Sequence, residues 1–109
     1  MAQTHKVLGQ SNPSATTLTT LYTVPASAQA IGSTLVVANI GTSATTYRIA
    51  VRPAGAAIAN QHYLVYDSSI PANDSITLTL GLSLAATDVV SVYAGNANLA
   101  CSLFGVEIT

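Results

Sequence analysis

The sequence predicts an all-β domain, an antiparallel β-sandwich of about eight strands. Three observations predict it. Thr and Ser alternate with Val, Leu and Ile along most of the chain, which is the period of strands with one buried face. Clusters of Gly, Pro, Asn, Asp and Ser interrupt the alternation every 8 to 12 residues or so, as turns do in sandwiches and barrels. No stretch competes convincingly as a helix.

The elements follow in order. Thr4–Gln10 is a short strand with Val7 and Gly9 opposite Leu8, closed by the turn cluster Ser11-Asn12-Pro13-Ser14. Thr16–Val24 places Tyr22 and Val24 on one face and ends at Pro25. Ser27–Ile40 contains the strongest strand, Thr34–Ile40, whose nearly continuous apolar character predicts two buried faces, or one buried face and one covered by a neighbour. The next strand turns Tyr47, Ile49 and Val51 one way and Thr46, Arg48, Ala50 and Arg52 the other, and stops at Pro53-Ala54-Gly55.

Ala56–Asn60 is too short for a helix of its own and reads as a loop. Gln61–Ser68 is a strand with Tyr63 and Val65 on one face and His62, Leu64 and Tyr66 on the other. After the turn at Ile70-Pro71-Ala72-Asn73-Asp74, Asp74–Leu80 alternates without a fault, with Ile76, Leu78 and Leu80 inward and Thr77 and Thr79 outward. Gly81–Leu84 extends or kinks it. Val89–Ala94 and Leu99–Ile108 are the last two strands, and the second carries its more apolar face at Ala100, Ser102, Phe104, Val106 and Ile108. The spacing suits a jelly-roll or an immunoglobulin-like sandwich. Residues 1–13 read as an N-terminal arm or a first edge strand, and 14–109 as a single sandwich domain.

Composition narrows the function. Only Lys6, Arg48, Arg52, Asp67, Asp74, Asp88 and Glu107 carry a formal charge, 6% of the chain, where about a quarter is usual. Surface charge opposes self-association, so a polar surface made of hydroxyls and amides suits a subunit that is covered by other subunits. Three basic residues and a net charge of −1 argue against nucleic acid, whose affinity rests on neutralised phosphates. Met1–Lys6 lacks the apolar stretch of a signal peptide and no run approaches a membrane span. The expectation is a chain made and kept in the cytoplasm, or packaged from there, that contacts neither membrane nor nucleic acid.

Chemistry is thin. His5 and His62 belong to no metal-spaced cluster, and His62 reads as an exposed or hydrogen-bonded structural residue. Asp67, Asp74 and Asp88 each sit where a strand meets a turn, the place of Asx-turns, without the spacing of a calcium loop. No Gly-x-Ser-x-Gly or phosphate-cradling loop is present. Cys101 lies in an alternating run without a cationic neighbour and reads as a buried small hydrophobe. The five tyrosines read as packing residues, with Tyr63 and Tyr66 on opposite faces of their strand. The expectation is no enzyme, no catalytic residue, no metal and no cofactor.

Three blocks resemble small structural proteins of tailed bacteriophages, including those of cyanobacteria. They are Leu8–Ala26, with its Leu-Tyr-Thr-Val-Pro element at Leu21–Pro25, then Val36–Val51, and the closing Leu84–Gly95. The resemblance covers most of the chain. It implies a virion component with an immunoglobulin-like or jelly-roll sandwich, without catalytic residues to carry over, and by the habits of that family a homo-oligomer, a trimer favoured. Two roles stay open. One is a capsid decoration (cement) protein that binds the major capsid protein; the other is a tail, baseplate or fibre-attachment protein. The residues expected at an interface are His5 and Lys6, in the N-terminal segment, and Arg48 and Arg52, four apart on one strand face.

Overall fold

A computed structural model describes residues 2–109. Met1, the first residue of the N-terminal segment, lies outside them. Eight strands form: β1 (Gln3–Ser11), β2 (Thr19–Thr23), β3 (Gln29–Asn39), β4 (Thr45–Arg52), β5 (Tyr63–Ile70), β6 (Ser75–Leu84), β7 (Val89–Ala94) and β8 (Leu99–Ile108). Two single 3-10 turns, Pro53–Gly55 and Asn60–His62, lie in the β4–β5 connection. The residues between those turns are irregular, as a stretch too short to sustain a helix must be.

The strands make two antiparallel sheets, ordered β1-β8-β3-β6 and β2-β7-β4-β5. The pairings β1·β8, β2·β7, β3·β6 and β4·β5 are nested, as in one long hairpin. That hairpin is rolled up so that β8 also pairs with β3, and β7 with β4. This is the jelly-roll arrangement and not the immunoglobulin one. Every connection except β4–β5 crosses from one sheet to the other. The segment 3–11 is the edge strand of the first sheet, paired with β8 along its length, and Ala2 and Thr109 exchange both main-chain hydrogen bonds.

The core fills the gap between the sheets. Leu35 and Val37 of β3 and Leu99 and Leu103 of β8 meet Ile49 of β4 and Val90 and Val92 of β7, all essentially inaccessible to water. Asn39, at the end of β3, is 2% exposed. Its Nδ2 donates to the carbonyls of Ser43, Ile70 and Pro71, and its Oδ1 accepts from the Gly41 amide. One amide side chain thereby satisfies the main-chain groups of two adjacent loops.

Three face assignments need correction or refinement. On β8 the buried row is Leu99, Cys101 and Leu103, while Ala100, Ser102 and Phe104 point outward. The pairing Leu35↔Leu103 and Val37↔Cys101 sets this, because directly opposed residues share a face. On β3 the inward row is buried as expected, but Thr34, Val36 and Ala38 on the outer face remain half-exposed. On β5 the register against β4 slips twice, between Tyr47 and Ile49 and between Ile49 and Ala50. Asp67 sits in the first slip with a φ of 51°. Each extra residue turns the strand, and Tyr63 and Tyr66 end up in contact on one side, ring centroids 4.9 Å apart and edge to face. They are not on opposite faces.

Candidate functional site

The centre of the outer face of the second sheet is covered by the chain's own residues, while Leu64 and Tyr66 on its edge strand β5 stay 48% and 59% exposed. Arg48 and Tyr93 are paired across β4 and β7 and share that face. The Arg48 guanidinium carbon lies 4.1 Å from the ring centres of both Tyr66 and Tyr93, so the cation is sandwiched between two aromatic faces. Its Nε donates to Asp67 Oδ1 at 2.7 Å and its Nη2 to Oδ2 at 3.3 Å, a bidentate pair that only a guanidinium makes. The paired Asp67 raises the affinity of Arg48 for its proton, partly opposed by desolvation. Arg52 donates to Ser91 Oγ and to the Ala56 carbonyl. Asp88 accepts from the Ala54 and Ala85 amides. These bonds hold the β4–β5 connection against the sheet, which explains why Ala50 and Ser91, both on an outer face, are completely buried.

His62, at the end of this connection, is 9% exposed and accepts from the Ala59 amide through Nδ1. It closes a turn, in keeping with a structural histidine. Asp74 accepts from the Ser75 amide next to it, which is turn chemistry as expected. Asp67 is an exception, since its carboxylate serves Arg48. The depression beside the cluster is shallow and open, lined by Asn60, Tyr63 and Tyr66.

The first sheet is built differently. Its strands carry only two formal charges, Lys6 and Glu107. Both point to the inner side, at the rim of the sandwich, by the alternation that buries Leu103. Glu107 accepts a 2.6 Å hydrogen bond from the Tyr22 hydroxyl of the opposite sheet, and Lys6 Nζ lies 3.6 Å from its other oxygen. Burial first, then this bond to the carboxylate, pushes the Tyr22 hydroxyl well above the ordinary phenol range. The outer face of the sheet is therefore free of formal charge. Its rows read Val7–Phe104–Thr34–Thr79, His5–Val106–Ile31–Ser83 and Gln10–Ser102–Val36–Thr77. Val7, Ile31 and Phe104 are large apolar side chains left 45%, 42% and 37% exposed. None of the other described residues covers them fully.

The four residues expected at an interface thus fall in two places. Arg48 and Arg52 lie together on the second sheet, both engaged within the chain. His5 is exposed on the outer face of the first sheet, and Lys6 beside it turns inward to Glu107. The apolar trio Val7, Ile31 and Phe104 was missed. The signal for it was Leu103-Phe104, two large apolar residues in succession on a strand, which cannot both face one core. Among the described residues no three His, Cys, Asp or Glu side chains come together. Cys101 is buried as expected, and burial pushes its thiol up to about 11.

No protein-family model and no curated protein matches the sequence. Solved structures resemble it in shape. A chain from the acidic stable capsid structure of Helicobacter pylori bacteriophage KHP30 superposes with a TM-score of 0.51 at 14% identity, over 99% of this chain and 92% of that one. The two chains are thus nearly equal in length. A pentameric capsid protein from metagenomic phage sequences reaches a TM-score of 0.30 at 15% identity, over 98% of this chain and 62% of that one, too low to establish a common architecture. What the first likeness shows is a shared overall fold that extends over nearly the whole of both chains.

Proposed function

We propose that this chain is a non-enzymatic structural component of a bacteriophage virion, a decoration (cement) protein that docks on the major capsid protein and braces the assembled head. Jelly rolls serve capsids, lectins and cupins alike, so the fold by itself does not select among them. The observation that carries the reading is the outer face of the first sheet. It is a broad, charge-free β surface of hydroxyls, amides and exposed Val7, Ile31 and Phe104. An uncovered apolar patch on a sheet marks a surface meant to be covered. A neutral surface gains affinity from buried area rather than from ion pairs. The similarly sized chain in a phage capsid structure supports the same reading.

Docking through the first sheet assigns His5 to the interface periphery and Lys6 to the latch that holds β8 and β2 together. Arg48 and Arg52 brace the second sheet. The copies form a homo-oligomer, with a trimer favoured by the phage resemblance. Neither a cofactor nor a membrane or nucleic-acid partner enters this role.

Copy number in purified particles is the test. A decoration protein approaches the abundance of the major capsid protein and stays with tail-less heads. A chain found only with tails, at a handful of copies, belongs to a tail, baseplate or fibre-attachment structure, and the cement reading is then wrong.

A further inference from the structure

Four strand edges are free in a two-sheet sandwich, and an unguarded edge is a template for another strand. Three of the four are guarded here. On β1, Lys6 points inward and the register slips between Val7 and Gly9. β2 has only five residues and slips between Thr20 and Tyr22. β5 slips twice and carries Asp67 at a positive φ. β6 is the exception. From Ser75 to Thr79 it is regular, without charge, proline or bulge, and its irregularity comes only at Gly81, where φ is +61°.

The backbone shows which groups are free. The Asn39 amide donates to the Asp74 carbonyl, so Asn39 and Asp74 are a hydrogen-bonded pair of the β3·β6 ladder. In an antiparallel ladder such pairs alternate. Ile76 and Leu78 therefore bond to β3, while the carbonyls of Ser75, Thr77 and Thr79 and the amides of Thr77 and Thr79 point to the free edge; the Ser75 amide is taken by the Asp74 carboxylate. The inward row beside that edge, Ile76, Leu78, Leu80 and Leu82, packs on the core but stays only half-buried.

We propose that β6 is a self-pairing edge, joining two copies of this chain about a two-fold axis at Thr77. With Thr77 opposite its own mate, Ser75 of one copy faces Thr79 of the other. The free amides of Thr77 and Thr79 then all find carbonyls of the other copy, in about four main-chain hydrogen bonds. The same register sets Ile76 of one copy against Leu78 of the other on the inner side and extends the apolar row across the axis. A two-fold axis brings each strand's charges against their own copies, and this strand has none to repel. The pairing is independent of the virion reading and of any ring the copies form through other surfaces.

Oxidative cross-linking of the full-length chain tests it. Opposed Cα atoms in a hydrogen-bonded pair lie about 5.5 Å apart, within disulfide reach, and Cys101, the chain's own thiol, is buried. A Thr77→Cys variant should form a covalent dimer at least tenfold faster than Thr20→Cys, an exposed control on β2. Thr77→Pro removes an amide that bonds nothing within the chain, and Thr77→Lys sets two cations against each other. Each should raise the dissociation constant of the wild-type pair at least tenfold, by light scattering on folded protein. Thr77→Lys keeps the test valid if the proline variant does not fold. A cross-linking rate no faster than that of the control, or self-association indifferent to Thr77→Lys, overturns the proposal. So does loss of binding to heads by the Thr77 variants without any self-association, which would give the edge to a strand of another protein.

Discussion

The two sheets of this sandwich share one core but treat their outer faces in opposite ways. The second sheet folds its own β4–β5 connection over Ala50 and Ser91 and locks Arg48 between Tyr66, Tyr93 and Asp67. The first leaves Val7, Ile31 and Phe104 in water and keeps its only two strand charges on the inner side. The difference teaches where a nearly neutral protein puts its few charges. Arg48, Arg52, Asp67 and Asp88 help to close one face, and the outer face of the other sheet is left without formal charge.

Neighbouring residues of β8 give the sharpest way to break that comparison. Leu103 faces the core and is fully buried, while Phe104 faces out. Leu103→Ala should cost about 3 kcal/mol of stability, measured by urea unfolding, because it removes buried atoms and leaves a cavity. Phe104→Lys should change stability by no more than about 0.5 kcal/mol yet lower occupancy on heads at least about tenfold, as a charge in the centre of an apolar interface does. Full occupancy with Phe104→Lys would move the docking surface elsewhere.

Alkaline titration probes the contact between the sheets. Tyr22 and Cys101 are acids whose values in the fold lie above their ordinary ones of 10.0 and 9.0. The fold prefers their neutral forms, so the stability they contribute is complete below about pH 8 and is lost as the pH rises through the ordinary values towards the raised ones. The unfolding midpoint should fall from pH 9 upward, and Tyr22→Phe should flatten the part of that fall above pH 10. An unchanged slope in the variant would remove Tyr22 from the latch with Glu107.

Smaller effects are expected on the second sheet. Arg48→Glu breaks the aromatic sandwich and repels Asp67, and should lower the thermal midpoint less than Leu103→Ala does while heads remain fully decorated. Reduced occupancy at an unchanged midpoint would return Arg48 to the interface and make the second sheet a docking face as well. Asp88→Ala should cost about 1 kcal/mol by freeing the Ala54 and Ala85 amides.

Much of this was legible along the chain. The alternation of Ile76, Leu78 and Leu80 with Thr77 and Thr79 marked β6 and its faces. Turn residues marked most strand ends, although β2 begins at Thr19 rather than Thr16 and β5 runs from Tyr63 to Ile70 rather than from Gln61 to Ser68. Cys101 announced its burial by its place in an alternating run without a cationic neighbour. The candidate site was less legible. Arg48 on its outward face was visible, but Tyr93 is set beside it by the β4·β7 pairing, and Tyr66 and Asp67 by a register slip of β5. The exposed trio on the first sheet was hidden because β8 is apolar in both parities, and only its partners decide which parity faces in.

The sequence by itself determined the class of the molecule, because a two-residue period, turn chemistry and scarcity of charge are local properties that each segment carries alone. The jelly-roll order, the choice of Leu103 over Phe104 for the core, the gathering of tyrosines around Arg48 and the one unguarded edge were decided only by the tertiary structure. Each depends on which strand lies beside which and in what register. Pairing between residues as far apart as Val7 and Phe104 is set by the best common burial of the whole chain, which no single segment contains.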